Sequence, residues 1–338
     1  MAGDEGRYDV DVEVPSGEAE VYVLRDRQSR SEARVIPALG NNLISFRVTP
    51  SGQAEPVEVM LCPPSQEELA RGPVFYGNPI LFPFPNRVRQ GIYAFEGKTH
   101  QLRKLMPNGH AIHGLAIDQA WKVVETGASD RARLVSALRW EDCPSIHAEY
   151  PFPFVLTVTY TLSGARLRME SKAQNTGPGR MPMGFGIHPY LRLPLAGDGR
   201  REDCLVRVPA SRLWELDPDL LPTGRTVGVP ADLDFRQPRK LGSLALDNVY
   251  TGVRAQYGWS ECLLRDPAAG LQLAVRADAS FREIVVYAPL ARPAICFEPY
   301  TCTTDALNLQ PKGVDAGLIV LEPGAEWQGT IDIELRPA

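Results

Sequence analysis

Five short segments of this chain each bring a strand-like or apolar stretch to an end on a polar side chain capable of chemistry. They are PNR, with Asn86 and Arg87; HAIHG, with His110 and His113; GIHPY, with His188; LDNVY, with Asp247; and ICFEPYTCTTDALN, with Glu298. An imidazole, ordinarily titrating near ~6.5, donates a proton around neutral pH, and a glutamate, near ~4.3, accepts one when ionised, with burial tuning either. Such residues do general acid–base work, each typically contributing ~10²–10⁴-fold. Arg87 can donate two parallel hydrogen bonds to ligand hydroxyls, and Asp247 can accept from them. A metal trio of His110, His113 and Glu298 is set aside, because HxxH spacing in a strand sends the two rings to opposite faces. No other ligand cluster has workable metal spacing.

Each candidate also has a purely structural reading. His188, between Gly186 and Pro189, could simply bond a backbone carbonyl in a turn. Glu298 closes the apolar run Ala294–Phe297, where a buried unpaired carboxylate is costly, so a role is favoured there. Of the two histidines in HAIHG, the following glycine favours His113 over His110. His100 and His147 read as ordinary surface or strand residues, and Trp121 as core.

The elements that must position these groups are short strands. Around Asn86 and Arg87, the run Phe82-Pro83-Phe84-Pro85 excludes an ordinary helix and makes a rigid apolar support. Strands are expected at Tyr8–Val14, Ala19–Leu24, Glu32–Pro37, Asn42–Val48 and Val57–Cys62, each bounded by turn residues. Ser65, Glu68 and Gly72 frame one short helix with a capping box. Phe154–Leu162 alternates with a clean period of two, and Leu167–Asn175 continues it. Ser211–Val229 reads as irregular, with turns at Asp217-Pro218 and Thr223-Gly224. Leu271–Ala277 and Phe281–Ala288 read as a strand pair, followed by Ala294–Glu298. No helix of a dozen residues and no repeat is found, and 30 prolines and 29 glycines punctuate the strands. An all-β sandwich or barrel follows, in one large domain over residues 1–338 with short helical connectors.

Composition limits the partners. The chain of 338 residues is 44% hydrophobic and 23% charged, enough for a sizeable core. A net charge of −5 with no basic block argues against nucleic acid or an acidic membrane surface. The six cysteines form no CxxC pair and read as small buried hydrophobes in a reducing compartment. The start lacks a signal-peptide pattern, and no apolar run approaches the ~20 residues that span a bilayer. A soluble cytoplasmic protein, monomeric or homodimeric, is expected.

In their order along the chain, NLISF, NRVRQG, IHG followed by a Trp, QNTG leading to HPYLRL, LDNVY, FEPYTCTTDALN and LEPGAEW resemble the aldose 1-epimerase, or galactose mutarotase, family. The resemblance implies a β-supersandwich fold and interconversion of the α and β anomers of a free aldose, without a cofactor. By position it makes Glu298 the general base and His188 the general acid, with His113 a second active-site histidine. Arg87, with Asn86 beside it, and Asp247 take the place of residues that hold sugar hydroxyls. Two departures bear on which sugar is bound. Val285 and Val286 stand where family members often carry a glutamine, and Leu115 stands where a second glycine commonly follows. The related hexose-6-phosphate epimerases share the HG-plus-apolar pattern, and Arg89, Arg103 or Lys104 could then meet a phosphate. A non-catalytic sugar-binding module is disfavoured by the intact His188 and Glu298.

Overall fold

Apolar residues at every second position build the sheets. In Phe154–Ser163 the side chains of Leu156, Val158 and Tyr160 are wholly buried, whereas Thr157 and Thr159 are only half-buried. The computed structural model describes residues 6–51, 54–197 and 199–338, and strands carry most of its regular structure. Nine strands make the largest sheet. Its order runs Lys122–Gly127, Ala132–Arg139, Phe154–Ser163, Arg166–Asn175, Glu326–Pro337, Leu271–Asp278, Trp259–Asp266, Leu205–Arg207 and Arg239–Lys240. A five-stranded meander, from Tyr8–Glu13 to Val57–Glu58, follows the chain order.

The sheet that matters most for the site is the third. Along its path it runs Pro222–Gly228, Ala210–Leu216, Leu246–Val253, Glu283–Ala288, Ala294–Tyr300, Gly186–Ile187 and Ile80–Leu81, with Leu191–Arg192 also paired to Ala294–Tyr300. One hydrophobic core unites the three sheets, drawing Phe46 from the meander, Val158 and Leu273 from the large sheet, and Ile284 and Phe297 from the third. The expected all-β sandwich with short helical connectors is therefore the observed architecture.

Three readings of the sequence change. Residues 211–229 are not irregular but supply the two strands Ala210–Leu216 and Pro222–Gly228, joined where Asp217 accepts the backbone N–H of Asp219 and Leu221. They lie at one end of the sheet, with Pro222–Gly228 its edge strand, where half-exposed polar residues blur the apolar alternation. Strands Leu271–Asp278 and Glu283–Ala288 do not pair, because they lie in different sheets. Between them Asp278 accepts from the backbone N–H of Ser280 and of Thr330, tying the crossing point to the last strand. The helix Gln66–Arg71 forms with Ser65 Oγ accepting from Glu68 N at 3.1 Å, but the Glu68 carboxylate turns to Arg71 and leaves the capping box half made.

The meander is anchored to the large sheet at one buried carboxylate. Asp26 takes both guanidinium contacts of Arg7, at 3.0 and 2.8 Å, and the N–H of Gly164 in the turn between Phe154–Ser163 and Arg166–Asn175. Among the described residues no helix is long and apolar enough to cross a membrane.

Candidate active site

Strand alternation separates the core from the chemistry. In Glu283–Ala288, Ile284, Val286 and Ala288 enter the shared core, leaving Glu283, Val285 and Tyr287 for the opposite face. In Ala294–Tyr300, Ile295 and Phe297 point to the core while Cys296, Glu298 and Tyr300 take the other side. Leu246–Val253 repeats the rule, with Leu246 and Tyr250 inward and Asp247 and Val249 outward. Register then places Val285 directly opposite Glu298 and Asp247 opposite Tyr287. Asp247 thus stands second in a full strand, and the Glu298 strand continues two residues further than the sequence suggests.

Two loops close over this face. Asn86 and His113 both adopt left-handed backbone, at φ 56° and 63°, a conformation that costs energy for residues with a side chain. The strain is held by bonds between the loops: His113 N donates to Asn86 O at 2.9 Å, and Asp305 N donates to Arg87 O at 2.9 Å. Gly114, at φ 74°, lets the chain pass the backbone of Phe82, where an added Cβ would sit 2.4 Å from the Phe82 oxygen. Leu115 N and Ala116 N then both donate to that same oxygen. The glycine in HAIHG and the aspartate in TTDALN are therefore supports, one for His113 and one for Arg87.

A cavity of about 300 Å³ results, lined by Asn86, Arg87, His113, His188, Asp247 and Glu298 together with Val74, Phe75, Met106, Ile112, Tyr190, Val285 and Tyr287. All six residues singled out from the sequence meet there. His188 Nε2 lies 3.4 Å from Glu298 Oε1. The His113 and His188 rings meet edge-on with centroids 5.1 Å apart, and Tyr190 stacks on His188 at 4.8 Å. Asn86 Oδ1 accepts from Arg87 N and Nη1, orienting the guanidinium. Arg87 Nε, His113 Nδ1, His188 Nδ1 and Glu298 Oε1 are buried without a hydrogen-bond partner. A set of buried, unsatisfied, convergent polar atoms is what a ligand site presents before its ligand arrives.

Burial sets the proton affinities, and in a direction the ordinary values do not suggest. Burial lifts the Glu298 carboxyl well above the usual range, opposed by the hydrogen bond donated by the Tyr300 hydroxyl and by nearby Arg87. Burial also pushes His188 down to about 3. His113 falls well below its ordinary value through burial, His188 and Arg87. His188 is thus no free cation near pH 6.5; with Glu298 it forms a pair whose proton content belongs to both. Burial raises Asp247 too, against the pull of Arg87.

The sequence reading missed Tyr190, Tyr287, Tyr300 and the apolar lining. Tyr300 was accessible from alternation, being two residues beyond Glu298 on the same strand face. His110 stays outside the cavity: its Nδ1 accepts from Gln90 N at 3.0 Å and its Nε2 lies 3.6 Å from Asp219. Among the described residues one trio, His188, Cys296 and Glu298, brings possible metal-ligand atoms within 4.8 Å of one another. A larger groove of about 730 Å³, between Arg207, Arg236 and Arg254, is open at the surface and holds none of the acid–base residues.

Comparison with known proteins bears on the family and the fold. A model of the family "Aldose 1-epimerase" matches residues 21–334. The uncharacterized protein YihR of Escherichia coli is 29% identical over 270 residues, 78% of this chain and 80% of that relative. A galactose mutarotase of Sus scrofa is 27% identical over 180 residues, 52% of this chain and 49% of that protein. Among solved structures, a galactose mutarotase-like protein from Clostridium acetobutylicum has a TM-score of 0.89 at 19% identity, covering 98% of this chain and 99% of that one. The galactose 1-epimerase from Lactobacillus acidophilus has a TM-score of 0.77 at 18% identity, covering 99% and 100%. At such identities the structural likeness speaks for the fold alone, whereas the family model spans nearly the whole chain: this protein belongs to the aldose 1-epimerase family.

Proposed function

We propose that the cavity interconverts the α and β anomers of a free aldose, with Glu298 serving the anomeric hydroxyl and His188 the ring oxygen. The observation that carries this reading is the buried pair itself, His188 Nε2 and Glu298 Oε1 at 3.4 Å, both facing a cavity sized for a small ligand. The pair holds one proton. With it on His188, the Glu298 carboxylate takes the proton of O1 while His188 delivers its own to the ring oxygen. The C1–O5 bond breaks and C1=O1 forms. Rotation about C1–C2 exposes the other carbonyl face, and the two transfers reverse on reclosure. Burial disfavours the charged form of each partner, so the proton rests on the carboxyl before the sugar binds and passes to His188 to form the reacting state.

His113 supports the ring oxygen by hydrogen bonding, and Arg87, Asn86 and Asp247 hold hydroxyls. This assignment gives a use to the buried Arg87 Nε and His113 Nδ1, which have no partner within the protein. A phosphorylated hexose is less well served. Arg89 pairs with Asp217 at 2.8 Å and Lys104 with Asp118 at 2.7 Å, Arg103 is exposed, and none of the three lines the cavity. Polarimetry on freshly dissolved sugars, free and phosphorylated, tests the reading: accelerated mutarotation of at least one free aldose is expected, and acceleration confined to phosphorylated hexoses would overturn it.

A further inference from the structure

Glu298 is held from behind. Its Oε2 accepts a hydrogen bond from the Tyr300 hydroxyl, while Oε1 is left unpartnered toward His188 and the cavity. Tyr300 itself is wholly buried and does not line the cavity. Its ring packs with Leu81, Trp214, Val249 and Val285, which fixes where the hydroxyl points. On one edge the ring lies against Gly186, where a Cβ would come within 2.3 Å of Tyr300 Cδ1. Gly186 is two residues before His188, so one aromatic ring braces the base and abuts the segment that delivers the acid. The first glycine of GIHPY makes room for it.

We propose that Tyr300 is a positioning residue for the reaction assigned above: its hydroxyl clamps Glu298 Oε2, aims Oε1 at the anomeric oxygen, and stabilises the carboxylate over the carboxylic acid. A donor to the charged form favours that form. Burial drives the Glu298 proton affinity up, and the hydrogen bond from the Tyr300 hydroxyl opposes it most strongly. Without it the carboxyl would hold the pair's proton more tightly still, and the reacting form, with carboxylate and imidazolium side by side, would be scarcer. Tyr300 keeps its own proton throughout, since burial and Glu298 push it well above the ordinary phenol value.

The test is Tyr300→Phe, which keeps the ring. One hydrogen bond to a charged group corresponds to about one pH unit, or about tenfold in the balance of the two forms. Kcat is expected to fall about tenfold with KM little changed, and the alkaline limb of the kcat profile to move up by about one unit. A role in packing alone would leave that limb in place. The Glu298 carboxyl can also be titrated without any sugar, as the infrared carboxyl difference between wild type and Glu298→Gln. Tyr300→Phe should move this titration upward as well, so the clamp is judged even if no sugar proves to be a substrate. If Tyr300→Phe does not fold, 3-fluorotyrosine placed at position 300 keeps the ring, strengthens the donor, and should move the titration down. An unmoved Glu298 titration in either variant would overturn the proposal.

Discussion

At the scale of single residues, the site is a proton account shared by Glu298 and His188. Glu298→Gln keeps the shape of the side chain and removes the base; kcat should fall by ~10²-fold or more, read by polarimetry, while far-UV circular dichroism stays as in wild type. Retention of a tenth of the activity would disprove the assigned base. The pH profile separates the two histidines. With His188 pushed down to about 3, a second proton enters the pair only in strong acid, so the acid limb lies well below neutrality. On the alkaline side the pair loses its one proton, and activity falls as pH rises through the lifted Glu298 value. In His188→Asn the remaining carboxyl must be ionised to act, so residual activity should rise with pH and the alkaline limb disappear. In His113→Asn that limb should persist, with kcat down roughly 10–10²-fold and KM raised. The reverse pattern would move the acid role to His113.

At the scale of elements, the precision of the site comes from loops held against strands. Asn86 and His113 are both in left-handed backbone, joined by the bond from His113 N to Asn86 O. Gly114 makes that approach feasible. Gly114→Ala places a Cβ 2.4 Å from the Phe82 oxygen at a positive φ, so something in the backbone must shift. A cost of about 1–3 kcal/mol is expected from the strain alone, measured as a lower urea midpoint with an unchanged slope. His113 should move with the loop, and activity should drop by more than the stability loss explains. Wild-type kcat in a destabilised Gly114→Ala would show that the loop does not place His113.

At the scale of the whole molecule, the site depends on three sheets keeping one core, and Asp26 is a joint between two of them. Arg7, Gly164 and Ser29 hold its carboxyl far below the ordinary aspartate value although burial opposes them. A depressed carboxyl stabilises the fold above its unfolded value, near ~3.9, and that contribution is lost as pH falls through the folded value. Asp26→Asn should therefore lower stability by at least ~1.5 kcal/mol at pH 7, with the gap to wild type closing in strong acid. A gap that stayed constant from neutral pH into strong acid would show that charge at Asp26 does not tie the sheets.

Much of this was legible in the sequence because its signals are local. Alternation in Phe154–Leu162 needs only neighbouring residues, and so does a polar residue ending an apolar run, as in PNR or GIHPY. The ordered motifs add long-range information, since they carry a resemblance that spans nearly the whole chain. What the sequence could not decide depends on partners distant along the chain. Whether Leu271–Asp278 pairs with Glu283–Ala288 is settled by which strands each hydrogen-bonds, and although they share one core they join different sheets. The two strands at 210–228, one of them the sheet edge, lack buried alternation, so their pairing partners, not their composition, define them. The proton affinities are the clearest case. A histidine and a glutamate have ordinary values in any sequence, and only the folded cavity, by stripping water from both, drives His188 down and Glu298 up.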